Sequence, residues 1–74
     1  MDFATKLRLM RIARGWTQQE LGDRCGIPNN LISQMETGKL IPAGDWEISI
    51  KGTLGWPLDE GIFTVLATSA QVPA

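Results

Sequence analysis

Residues 17–39 read TQQELGDRCGIPNNLISQMETGK, and their local chemistry specifies two short helices joined by a tight turn. Thr17 and Glu20 have the spacing of a capping box, in which the threonine hydroxyl accepts from the Glu20 backbone N–H and the glutamate reaches back to the Thr17 N–H. Trp16 stands just before the cap and Leu21 four positions after it, the spacing of a hydrophobic staple. A helix is therefore expected over 18–25. Gly26 can take the left-handed conformation that ends it, and Gly38 can end a second helix expected over 29–37. In that second helix Ile32 and Met35 are three apart and can share a buried stripe. Asn29, Asn30, Ser33 and Gln34 are left for the other faces. Polar amides gathered on the second helix of such a pair suit it to the edges of DNA base pairs.

Outward from this stretch the chain continues to read as helix. Asp2 can cap a first helix over 3–14, ended by Gly15, with Phe3, Leu7 and Met10 on one face. Leu9 and Ile12 point away from that face, so they either pack on the C-terminal segment or form a small exposed patch. After a loop at 39–42, a fourth helix is expected over 43–54. Gly44 and Gly52 cost it about 1 kcal/mol each relative to alanine, but Trp46, Ile50 and Leu54 keep helical spacing. Pro57 marks a break. A fifth helix is expected over 58–67, with Leu58, Ile62, Val65 and Leu66 on one side. The expected fold is all-α: a compact bundle of about five short helices, one domain over 1–68 with a flexible tail at 69–74.

Composition narrows the function classes. At 74 residues the chain is one domain near the lower size limit for a single core. Its hydrophobic fraction of 43% is that of a globular chain. One cysteine permits no internal disulfide and suits a reducing cytoplasm. Lys6, Arg8, Arg11 and Arg14 interrupt the N-terminal segment, so it does not read as a signal peptide. No apolar run approaches the roughly 20 residues that span a bilayer. There is no histidine, no cysteine pair, no metal-ligand cluster and no glycine-rich phosphate loop, so an enzyme is the poorest reading, and no cofactor, metal or small-molecule substrate is expected. The net charge of −1 argues mildly against DNA, since domains that bind it are usually basic. The charge is polarised, however: residues 1–39 hold six Lys/Arg against four Asp/Glu, and residues 40–74 hold one against four. Non-specific DNA binding is expected to be weaker than that of a basic domain.

The chain resembles the phage repressor and Cro family, the lambda-repressor-like DNA-binding domains. That family's pattern, roughly T-Q-x-x-L-A-x-x-x-G-(apolar)-x-x-x-x-(apolar)-S-x-(apolar)-E-x-G-(basic), is met by Thr17, Gln18, Leu21, Gly26, Ile27, Ile32, Ser33, Met35, Glu36, Gly38 and Lys39. Leu7, Arg11 and Gly15 match the family's first helix and its exit. Pro42, Ile50, Leu54, Gly55, Leu58, Asp59 and Glu60 match its later P…I…LG…LDE run. The likeness covers roughly residues 3–63; no single match is diagnostic, and the fixed spacing of many carries it. The chain departs from the pattern at Pro28, where a Ser or Thr cap is usual, at Lys51 for alanine, and at Trp56 for a small aliphatic residue.

The resemblance implies site residues, each with a plainer alternative. Gln34 would face the major groove, where its amide can match adenine N6 and N7; alternatively it is an ordinary solvated glutamine. Asn29 and Asn30 would read bases or bond phosphates, or, because Pro28 has no side-chain acceptor, Asn29 would cap the helix. Gln18, at the start of helix 2, would hold a phosphate, with Thr17, Ser33, Thr37 and Lys39 near the same DNA backbone. Glu36 lies at the wrong end of its helix for the dipole, and the family pairs the matching glutamate with the helix 1 arginine, here Arg11. That pair would aim Arg11 toward a phosphate; the alternative is a screened surface pair of little worth. Arg8 and Arg14 are weaker candidates for the same footprint. Cys25 falls at a small apolar packing position. Trp16 reads as the staple, and Trp46 and Trp56 as core or interface. Trp56, Ile62, Phe63 and Leu66 form the expected dimer interface.

Two functions follow from this reading. One is a sequence-specific transcriptional regulator of phage or prophage Cro or repressor type, which binds a palindromic double-stranded operator as a homodimer in the bacterial cytoplasm. The other is a protein-interaction module on the same fold, such as an antitoxin-like or controller subunit, supported by the acidic C-terminal half and its apolar residues. Salt separates them, because operator binding weakens steeply through counterion release.

Overall fold

The computed structural model describes residues 2–65. Four helices follow one another: α1 (Phe3–Ala13), α2 (Gln18–Cys25), α3 (Asn29–Glu36) and α4 (Asp45–Leu54), with helical residues at 62–65 opening a fifth. No strand occurs among the described residues. The all-α expectation holds. Leu66, the end of the expected fifth helix and the expected tail at 69–74 lie outside the described residues.

The first two helices start where their caps put them. The Asp2 carboxylate accepts from the Thr5 N–H at 2.9 Å. At α2 the Thr17 hydroxyl accepts from the Glu20 N–H at 3.0 Å and the Glu20 carboxylate accepts from the Thr17 N–H at 3.1 Å, completing the capping box. Gly26 closes α2 in the left-handed conformation. At eight residues each, α2 and α3 are too short to hold as isolated helices, so packing must hold them. Each buries an apolar stripe in one cluster: Leu7 and Met10 from α1, Leu21 from α2, Ile27 from the turn, Ile32 and Met35 from α3, Ile50 and Leu54 from α4, and Phe63. α3 lies against both α2 and α1, and α4 lies against α2.

The starts of two helices need correction. The fourth helix begins two residues late, because Gly44 takes φ 59° and ψ −130° and so stands outside it as the N-cap. Trp46, on its first turn, is 40% exposed and is not part of the core cluster. The fifth helix does not begin at Leu58. The Asp59 carboxylate accepts from the Gly61 N–H at 2.9 Å, a local side-chain turn that competes with helix, and helical residues start only at 62. Leu58, expected on the apolar side of that helix, is fully exposed. Leu9 is buried, although outside the main cluster.

Two further contacts join the ends of the bundle. The rings of Phe3 and Trp56 stack at 5.4 Å, and Trp56 meets Phe63 at 5.2 Å. Phe63 is 1% exposed and belongs to this chain's own core. It is therefore not available to a second subunit, contrary to its place in the expected interface. The Arg14 guanidinium donates from Nε and Nη2 to the Leu54 carbonyl at 3.1 and 2.7 Å, placing a cation at the C-terminus of α4, where the helix dipole favours it.

Candidate nucleic-acid interface

The outward face of α3 follows from which residues its core stripe consumes. Ile32 and Met35 are fully buried and Leu31 packs half-buried against the same cluster. At 3.6 residues per turn this leaves Asn30 and Gln34 on the opposite side, one turn apart. Both are exposed, as is Asn29 at the helix start, and Ser33 flanks them half-buried. Among the described residues, no hydrogen bond engages the side-chain amides of Asn29, Asn30 or Gln34. Pro28 is the N-cap of α3 and makes no side-chain cap, while its carbonyl accepts from Leu31 and Ile32. Asn29 is thus the first helical residue and not the cap, which removes the capping alternative for it.

Beneath this face a charged network fixes the angle of α3. Arg11 donates to Glu36 through Nε at 2.6 Å and through Nη2 at 3.0 Å, and to the Trp16 carbonyl through Nη1 at 2.8 Å. The Glu36 side chain is 3% exposed and that of Arg11 15%. Gln18 adds a longer bond from Nε2 to Glu36 at 3.4 Å. A carboxylate at the unfavourable end of a helix is thereby neutralised, and the exit of α1, the start of α2 and the end of α3 are tied together. The screened-surface alternative does not describe this pair. Three of the five Arg11 N–H groups are spent internally, so its first role is to position α3.

The remaining candidates divide by what their side chains already do. Thr37 gives its hydroxyl proton to the Ser33 and Gln34 carbonyls at 3.1 and 3.2 Å, closing α3 and leaving no proton for a phosphate. Thr17 only accepts in its cap, so its hydroxyl proton is free to donate outward. Gln18 is half-buried and keeps its second amide N–H. Lys39 is exposed just past the end of α3. Arg8 is exposed on α1, and Arg14 belongs to the end of α4. Trp16 packs half-buried on the core with the Arg24 guanidinium over its ring at 4.4 Å. Cys25 is half-buried, and burial pushes its thiol up from the ordinary cysteine value, against hydrogen bonds with Thr53 and Ser49.

The pair α2–α3 has the form of a helix presented on a supporting helix. A family model described as a helix-turn-helix domain matches residues 2–51, more than half of the chain. The chain belongs to the helix-turn-helix domain family. Among curated proteins and among solved structures, none matches it. Membership supports DNA binding by this domain, and it covers every residue of the candidate face.

Two residues serve the helix-turn-helix in roles that the sequence reading did not assign to them. Arg14 acts across 40 positions on Leu54, a distance no local pattern spans. Gly22 is buried, and a Cβ there would run into the Ile27 carbonyl oxygen. The signal for it was present: it follows Leu21 where the family pattern has alanine. Among the described residues no helix is long and apolar enough to cross a membrane, and no group of acidic, cysteine or histidine side chains could hold a metal.

Proposed function

We propose that this helix-turn-helix protein is a sequence-specific transcriptional regulator of phage or prophage Cro or repressor type, acting on operator DNA in a bacterial cytoplasm. The observation that carries the proposal is the outward face of α3. Asn29, Asn30 and Gln34 are exposed, their amides are uncommitted, and the helix bearing them is fixed by the Arg11–Glu36 pair. Amides in this arrangement can reach base edges in the major groove, while Thr17, Gln18, Ser33 and Lys39 are placed to hold the flanking backbone. The protein binds a palindromic operator as a homodimer, with recognition helices about 34 Å apart, one turn of DNA. It represses by covering a promoter.

The dimer contact we propose is on the exposed apolar side of residues 57–65. Ile62 is 46% exposed there, and Leu58 and Val65 are more so. Trp56 contributes only its half-buried edge. The same surface favours the second reading, a module whose main partner is another protein. A selection from a random duplex library, followed by binding of the enriched duplex at two salt concentrations, separates them. The regulator yields a palindrome whose binding weakens steeply with salt. Failure to enrich any sequence sinks the regulator and points to a protein partner at Leu58 and Ile62.

A further inference from the structure

A glycine inside a helix weakens it, because its backbone loses more freedom on folding and no side chain packs. Gly22 has a reason within the fold, the close approach of the Ile27 carbonyl. Gly52, inside α4, has none. It is exposed, its φ lies outside the left-handed region, and a Cβ there would meet nothing within 4 Å among the described residues. One turn earlier on the same face of α4 stands Ile48, 69% exposed. This face therefore carries a large apolar side chain and, four residues on, a gap. At Gly52 the surface opens into a groove of about 430 Å³, bounded also by Lys51, Trp56, Pro57, Leu58 and Glu60. One flank of the face holds Glu47 and Lys51, both partly exposed and 3.9 Å from each other.

Turned end for end, this pattern fits itself. Take two antiparallel copies of α4 related by a two-fold axis that passes midway between residues 48 and 52. Ile48 of each copy then enters the gap over Gly52 of the partner subunit. Like flanks meet, so Lys51 of each copy comes toward Glu47 of the partner subunit. Each contact is made twice, as a two-fold interface requires. A partner of a single charge would be opposed by either Glu47 or Lys51, whereas a second copy is opposed by neither.

We infer that the outward face of α4 is an interface for a second copy of this chain, in antiparallel register with Ile48 against Gly52. It is separate from the contact proposed at residues 57–65, which uses neither residue. Copies bound along one DNA duplex are brought to a high effective concentration, and this face joins them.

The test uses the full chain without DNA, so its outcome is independent of the operator reading. In a Cys25→Ser background, chains carrying Ile48→Cys are mixed with chains carrying Gly52→Cys in a mildly oxidising thiol buffer. The mixed disulfide should exceed the statistical half of the crosslinked product, because the 48–52 pairing alone brings two thiols within bonding distance. Sedimentation equilibrium supplies a second readout. Ile48→Asp should weaken self-association by roughly tenfold or more. Gly52→Ala should raise the thermal midpoint, since its Cβ meets nothing among the described residues, and still weaken self-association. A purely internal role for Gly52 does not produce those opposite signs. A mixed disulfide at or below the statistical share overturns the inference. So does a Gly52→Ala chain that associates as well as the wild type.

Discussion

With Nε and Nη2 on Glu36 and Nη1 on the Trp16 carbonyl, the Arg11 guanidinium is shared by three elements of the helix-turn-helix. Removing one partner strands the other. Arg11→Met leaves the Glu36 carboxylate buried with only the longer Gln18 bond, and breaking a buried pair in this way costs about 3 kcal/mol. Arg11→Lys should recover little, because an ammonium cannot reproduce the bidentate fork while also reaching the Trp16 carbonyl. The double variant Arg11→Met/Glu36→Met should be more stable than Arg11→Met alone, since no charge is left buried. Urea denaturation of the wild type, Arg11→Met, Glu36→Met and the double variant measures the coupling, and additive single effects would mean the pair is solvated in solution. The acid at the wrong end of α3 called for a partner, and the family resemblance named Arg11 as that partner. Nothing called for the bond to Trp16, because a backbone carbonyl leaves no mark in sequence.

Elements were legible where their signals were local. α2 carries its cap, its capping glutamate and its terminal glycine within ten residues, and its bounds came out as expected. α4 and the fifth helix were misplaced at their starts because Gly44 and Asp59 act through backbone and side-chain turns that compete with helix, and apolar periodicity does not register such competition. Two glycines test how the elements meet. At Gly22 the helix itself would welcome alanine, by about 1 kcal/mol, but the added Cβ meets the Ile27 carbonyl of the turn. Gly22→Ala should therefore destabilise by about 1–3 kcal/mol, the usual cost of overpacking. It should also weaken operator binding more than stability alone explains, because relief of the clash moves α3. At Gly55, φ is 67° and a Cβ would stand 2.6 Å from Arg14 Nη2. Gly55→Ala should cost about 1–2 kcal/mol from the left-handed backbone alone, plus the loss of the Arg14 bonds to Leu54. With Arg14→Ala already present the second part disappears, so thermal denaturation should show the two substitutions to be less than additive.

At the scale of the whole molecule, two charge patterns can be tested. The first joins the ends of the chain: Lys6 donates to Glu60 at 2.7 Å beside the Phe3–Trp56–Phe63 rings. That hydrogen bond and the ammonium charge hold the Glu60 carboxyl below its ordinary value. A carboxyl depressed in the folded state contributes stability that is fully present above its unfolded value and is lost as pH falls through its folded value. Glu60→Gln should therefore flatten the acid limb of stability against pH and leave the slope near neutrality unchanged. An unaltered acid limb would assign it to other carboxylates, of which Asp2, depressed by its cap to Thr5, is the first candidate.

The second pattern is the scarcity of cations near the reading face. Lys39 is exposed beside the end of α3, whereas Arg11 is largely spent on Glu36 and Arg14 on Leu54. Each neutralised phosphate adds about −0.9 to the slope of log affinity against log salt. With one or two such contacts per subunit, a dimer should show a slope of only about −2 to −4. Affinity must then come mainly from hydrogen bonds to bases and backbone. On the proposed Lys39–phosphate contact, Lys39→Gln removes one contact from each bound subunit, so its effect on the slope counts subunits. A change of about 2 is expected for a dimer on a palindrome and about 1 for a monomer. An unchanged slope would mean that Lys39 stays in solvent and that the backbone is held by the neutral donors of Thr17, Gln18 and Ser33.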